Sequence, residues 1–173
     1  LGAHQAVPDL VRFATTDPDG LVRGFAASAL SQLDQTEDTH RVLRDLLKTD
    51  TDPMVRQYVS QGLINARTPV GVDALITALR DSDADVRLNA AHGFWTVKSD
   101  RAVSSLMKAL QAESEYLTRD YMLHALAFQQ AKLAIPLVRR VLADTAKASS
   151  HNTAQHALDV LEGRKKPEGG FAH

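Results

Sequence analysis

At 173 residues, with 44% hydrophobic, 24% charged and only 5% aromatic side chains, the chain can bury a core, but one built from Leu, Val and Ala. Twenty Lys plus Arg against 21 Asp plus Glu leave a formal charge of −1, so no global field steers the protein to nucleic acid or to an anionic membrane. The absence of cysteine removes disulfides, thiolate metal sites and a cysteine nucleophile together, and no apolar run approaches the roughly 18 residues of a membrane span.

Along the chain the pattern alternates between two kinds of amphipathic helix. Val7, Leu10, Val11 and Ala14 recur at helical spacing, with Pro8 in the first turn where a missing N–H costs little. The turn Asp17-Pro18-Asp19-Gly20 follows, and Val22, Ala26, Ala29, Leu30 and Leu33 predict a second helix. The plan returns with Val42, Leu43, Leu46 and Leu47, then Val55, Val59 and Leu63, where Asp52-Pro53 is the clearest helix start in the chain. A third pair is carried by Val72, Leu75, Ile76 and Leu79, then Val86, Ala90, Phe94 and Val97. A fourth is carried by Val103, Leu106, Met107 and Leu110, then Leu123 and Leu126. The fifth has Ile135, Pro136, Val138, Val141 and Leu142, then Ala154, Ala157, Leu158 and Leu161, with Gly163 placed to end the helix.

Arg23, Arg56, Arg87 and Arg119 are separated by 33, 31 and 32 residues, each behind an acidic turn and, for the first three, directly after Val. A fixed period of this size implies a repeat array of about five units, near residues 3–34, 35–66, 67–98, 99–130 and 131–163, forming a single solenoid. The expected fold is all-α, a right-handed α-α superhelix. Unit five departs from the pattern: His151 stands at the arginine position, and the acidic turn becomes Asp144 to Ser150, as in a degenerate end cap. Residues 164–173 lack periodicity and are expected to be a flexible tail. Leu1-Gly2 falls where other units end their second helix, as in Leu161-Glu162-Gly163, which suggests a piece of a longer array. With no signal peptide visible, a cytoplasmic location is expected.

An early proline in the first helix, an aspartate turn, then Val-Arg followed by Ala-Ala or Ala-Leu, resembles HEAT repeats of the short PBS-lyase-like kind. Asp73 to Arg87 carries the resemblance best. It covers roughly residues 3–163 and is specific for architecture rather than activity. In such repeats the Asp and Arg columns form a ladder joining neighbouring units. The resemblance therefore makes Asp19, Arg23, Asp52, Arg56, Asp83, Arg87, Glu115 and Arg119 structural. It also implies that the second helix of each unit lines a concave groove. The family includes scaffolds and a few enzymes, so the main expectation is a non-catalytic protein- or peptide-binding surface. The alternatives are a chromophore lyase or enzyme subunit and, less favoured by the interleaved acidic residues, a nucleic-acid binder.

Motifs for chemistry are sparse. Asp81-x-Asp83-x-Asp85 opens like a calcium loop but has Val86 where the glycine is required and His92 where the closing glutamate belongs. Phosphate-cradling glycine loops, HExxH and GxSxG are absent, as is the His-Glu dipeptide of HEAT-like di-iron hydroxylases. No catalytic residue, metal or cofactor is expected.

Placing the second helices on a wheel puts the first, fifth and eighth residues after the arginine opposite the core. The fifth position reads Ser28, Gln61, His92, His124, His156, so three histidines stand in register. The eighth includes Ile64 and the only tryptophan, Trp95; the first includes Leu88. With Tyr58 and Tyr121 at the margin, these residues make the candidate partner-binding surface, with Trp95 as its exposed anchor. The histidine column also raises metal binding with Asp120 or Asp159 as a third ligand, and a pH-sensitive groove.

Overall fold

The computed structural model describes residues 3–167. Among these it contains ten α-helices and no strand, joined by turns and short 3-10 segments: α1 (Val7–Thr16), α2 (Gly20–Leu33), α3 (Glu37–Thr49), α4 (Pro53–Gly62), α5 (Pro69–Ala78), α6 (Ala84–Thr96), α7 (Val103–Ala112), α8 (Tyr116–Phe128), α9 (Ile135–Ala143) and α10 (His151–Leu161). These are the five predicted pairs, odd-numbered helices first in each pair. Contacts divide the chain into two compact bodies, Leu1–Ala90 and Ala91–His173.

Helix starts follow local chemistry. Asp19 and Asp52 cap α2 and α4 by accepting the backbone N–H groups of Leu21 and Met54, and Thr68 caps α5 through Gly71. Pro8, Pro53, Pro69 and Pro136 all fall in first turns, where no hydrogen bond is lost. Helix α8 ends with Gln130 at φ 55°, the N–H of Ala131 returning to the Leu126 carbonyl and that of Gln130 to Ala127. Gly163, at φ 80°, ends α10 in the same way, as its sequence position predicts.

In the first body α1 packs on α2 and α3 on α4, with α2 beside α4 and α3 beside α5. Its core is Leu30, Leu43, Val55, Val59, Leu63, Leu75 and Val86, all fully buried. In the second body α7 packs on α8, α9 on α10, and α8 beside α10, around Phe94, Leu106, Leu110, Met122, Leu123, Leu126 and Val138.

The arginine ladder is present in the first body, but its carboxylates are not those expected. Arg23 grips Asp50 with both arms of its fork, at 2.7 and 2.9 Å, and Arg56 grips Asp81 at 2.9 and 2.9 Å. The third nitrogen, Nη1, donates to the carbonyls of the arginine's own turn, Asp17 and Pro18 for Arg23, Asp50 and Thr51 for Arg56. Each arginine thus ties its own turn to the first acid of the next one. Asp19, Asp52 and Asp83 serve instead as helix caps, Asp83 taking the N–H groups of Asp85 and Val86. Glu115 makes no cap hydrogen bond.

Arg87 clamps the carbonyls of Asp81 and Ser82 in the same manner. The Arg23 guanidinium holds the Asp50 carboxyl below its usual range. For Asp81 burial pushes upward most strongly, but the Arg56 hydrogen bonds and charge, with the Asp83 N–H and the Ser82 hydroxyl, together outweigh it, so the net shift is also downward.

At the C-terminal repeat the ladder changes partners. Buried Arg119 donates to the hydroxyls of Ser150 and Ser149, at 2.9 and 3.3 Å, and to its own turn at Glu113 and Ser114. His151, at the arginine position, keeps only the turn clamp: its Nε2–H donates to the Asp144 carbonyl at 3.0 Å. Beyond α10, at the start of the segment expected to be a tail, Arg164 pairs with Asp159 and Glu162, and Lys165 with Asp159. The hydrogen bonds from Arg164, which contributes most, from the Gln155 amide and from Lys165 push the Asp159 carboxyl down to about 2. The rest of the predicted tail, 168–173, lies outside the described residues.

Candidate functional site

The predicted surface residues fall into two separate settings. In the first body, Tyr58, Gln61 and Leu88 line a cavity of about 350 Å³ over α4 and the first turns of α6, together with Met54, Gln57, Asp85 and Asn89. Met54, Tyr58 and Leu88 supply apolar surface. The Gln57 amide donates to Asp83 and Asp85 at 3.1 and 3.4 Å, and Asn89 donates to the Ser60 hydroxyl at 3.0 Å, so both amides are fixed before any ligand arrives. Asp85 and Gln61 are exposed at the rim. Ile64, expected in the same surface, is half-buried and does not line this cavity.

Tyr58 is positioned by two neighbours. Its ring tilts against Phe25 with centroids 5.0 Å apart, and it lies over Gly24, where an added Cβ would meet the ring at 2.5 Å. At the far end of the same seam Gly62 faces Ser31, whose Cβ would be 2.7 Å from an added Cβ. Gly24 and Gly62 therefore let α2 and α4 lie close side by side. This overturns part of the wheel: the first and eighth positions of α2, Gly24 and Ser31, are buried in the seam between second helices rather than turned to solvent.

In the second body the aromatic residues stack on one another. Trp95 lies parallel to the His124 imidazole, centroids 4.4 Å apart at 10°, and meets the edge of Tyr121 at 5.5 Å. His92 approaches Tyr121 edge-on at 5.3 Å, and His124 lies 5.8 Å from His156. Trp95 is only 7% exposed. The expected exposed tryptophan anchor is thus a packed core residue, because the flat rings at the fifth position of α8 and the eighth of α6 face each other. The eighth position of α8, Ala127, is buried as well.

The histidine column is an imidazole and aromatic stack. Among the described residues no three His, Asp or Glu side chains converge to hold a metal ion. Asp120 accepts the Thr153 hydroxyl at 2.9 Å through one oxygen, and its other oxygen is buried without a hydrogen-bond partner.

A further histidine lies in the first body. His40 is fully buried in the apolar register of the first helices. The Gly71 N–H donates to the Thr68 hydroxyl, Thr68 donates to His40 Nδ1 at 2.6 Å, and His40 Nε2–H donates to the Gln35 carbonyl oxygen at 3.2 Å. The Gln35 amide in turn reaches the Ser31 carbonyl. This polar thread crosses three successive repeats, and burial holds the His40 imidazole below its ordinary pKa. Its signal in the sequence is a lone histidine where units one and three carry Val7 and Val72.

Successive helix pairs, a turn-clamping arginine and a bidentate link to the next turn define an α-helical repeat protein. The profile of HEAT repeats matches residues 1–64 and 72–166, and the chain belongs to the HEAT-repeat family. The crystal structure of an engineered protein, a Northeast Structural Genomics Consortium target, is similar in fold. Its TM-score is 0.61 at 20% identity, over 91% of this chain and 80% of that one. No curated protein matches the chain. No helix of the described residues is long and apolar enough to cross a membrane.

Proposed function

We propose that this HEAT-repeat chain is a non-catalytic scaffold that holds a protein or peptide segment on the face formed by its second helices, with no nucleic acid or cofactor involved. The observation that carries this reading is the cavity over α4 and α6, whose Met54, Tyr58 and Leu88 floor is rimmed by Gln57, Gln61 and Asp85. Its volume sits at the lower end of the range for ligand pockets. An apolar floor within a polar rim suits one apolar side chain of an extended segment, and the exposed Asp85 carboxylate suits a basic neighbour on it. The same acidic rim is unfavourable for a phosphate backbone. Because Gln57, Asn89 and Tyr58 are already fixed by contacts within the body, little side-chain ordering is added on binding.

The test is selection of a library of linear peptides against the intact chain, followed by affinity measurement on wild type, Leu88→Ala and Asp85→Asn. Peptides pairing an apolar with a basic residue are expected. Leu88→Ala should weaken them by about tenfold or more, the loss of a buried anchor contact, and Asp85→Asn should remove the preference for the basic residue. Selected peptides that bind all three proteins equally would refute the site.

A further inference from the structure

The first repeat leaves uncovered a surface that the following repeats bury. Val22, which directly precedes Arg23, is 38% exposed, whereas Val55 and Val86, in the same register before Arg56 and Arg87, are 0% exposed. Phe13, ten residues before its arginine, is 37% exposed, and its counterpart Leu46 is 6%. Phe25 is 57% exposed; its counterpart Tyr58 is half-buried and rests on Phe25 itself. Every one of these comparisons lies within the first body.

A second, independent feature marks the same face. Asp17 stands six residues before Arg23, as Asp50 stands before Arg56 and Asp81 before Arg87. All three make the same local turn, accepting the N–H two residues on, at 2.9, 3.0 and 2.9 Å. Asp50 and Asp81 each also receive the two-armed grip of the preceding repeat's arginine. Asp17 forms no ion pair among the described residues. It is the ladder carboxylate without its arginine.

We propose that the outer face of α1 and α2 is a docking surface for one further helix pair of the same repeat type, seated in the array's own register, whose second helix places an arginine on Asp17 and apolar side chains over Val22, Phe25 and Phe13. This surface continues an interface already formed twice, by α2 beside α4 and by Arg56 on Asp81. The Arg12 guanidinium lies 4.3 Å over the Phe13 ring, and it is exposed enough to swing aside. A second copy of this chain docked head to tail does not satisfy the site. Its last repeat offers His151 in place of the arginine, and that ring is held on its own turn at the Asp144 carbonyl.

The test extends the full chain with a second copy of residues 35–66 joined ahead of Ala3, so that the copied arginine falls in register with Asp17. The added hairpin is expected to be helical, to protect the Phe25 region from hydrogen exchange, and to raise the midpoint of unfolding of the first body. Asp17→Asn should reduce the docking equilibrium by about tenfold, the order expected for a charge-assisted bidentate pair. The same substitution in the unextended chain should leave stability nearly unchanged, because an asparagine can keep the local turn.

An added hairpin that stays open to protease, or one stabilised equally with and without the Asp17→Asn substitution, would overturn the proposal. So would sedimentation of the unextended chain as a dimer dissolved by Phe25→Lys, since the occupant would then be a second copy.

Discussion

The ladder is the feature on which a quantitative prediction can be made most sharply, and Arg56 is its best-defined rung. Its guanidinium makes two hydrogen bonds of 2.9 Å to the Asp81 carboxylate and two to the carbonyls of Asp50 and Thr51. The two side chains are 12% and 10% exposed, so truncating one strands the other in a largely dehydrated place. Breaking a buried pair costs about 3–5 kcal/mol, and for a pair about a tenth exposed the lower end applies, about 3 kcal/mol for Arg56→Met. In the double variant Arg56→Met with Asp81→Asn no charge is stranded. The coupling energy between the two sites should therefore reach about 1–3 kcal/mol. Asp83 lies two residues along the same turn but spends its carboxylate on capping α6 and on Gln57. Its coupling to Arg56 should stay below about 0.5 kcal/mol. Urea unfolding followed by circular dichroism gives both cycles. Equal coupling of Arg56 to Asp81 and Asp83 would refute the assignment of the rung.

Phe94→Ala and Trp95→Ala should each cost about 3–5 kcal/mol in thermal or chemical unfolding, because both side chains are packed; a much smaller loss for Trp95 would return it to the surface. Gly24→Ala pushes a Cβ into the Tyr58 ring and should cost about 1–3 kcal/mol, a penalty largely relieved in a Tyr58→Ala background. The His40 imidazole has its folded-state pKa lowered by burial, so the unfolded chain takes up the proton first. Its contribution to stability is present above about pH 6.5, the unfolded value, and is lost as pH falls through the lower folded value. Subtracting the pH–stability curve of His40→Val from that of wild type should isolate this decline. Asp50 and Asp81 follow the same sign at lower pH: their stabilisation is full above about pH 3.9 and disappears as pH falls through their depressed folded values, which acid titration of the ladder variants should show as a lost component.

The fold was legible because its information is periodic. The arginine spacing, the prolines of the first turns and the caps at Asp52 and Gly163 each rest on local backbone chemistry, and each stands where the pattern puts it. The choice of ladder carboxylate was not legible. Each of the first three turns offers two aspartates two residues apart, both able to make an Asx-type turn, and sequence contains nothing to say which one faces the next repeat. The geometry decides it: the second acid is committed to the N-terminus of the helix that follows, leaving the first to meet the arginine of the repeat before.

The candidate surface was legible in part for a related reason. A helical wheel assumes one buried face and one wet one, whereas a second helix in a stacked array has neighbours on its flanks as well. Gly24 and Ser31 are small because a neighbouring second helix passes close to them, Ala127 is buried as well, and Trp95 is flat against His124 because two flanks meet there. The positions left for a partner are those that neither the core nor the flanks consume. In the first body these are the early turns of α4 and α6, where Met54, Gln57 and Asp85 join Tyr58, Gln61 and Leu88. The same rule explains the exposed Val22 and Phe25. Their positions are consumed by a flank wherever a preceding helix pair exists, so their apolar character at the first repeat is the character of an interface, and the carboxylate of Asp17 beside them specifies the charge its occupant must bring.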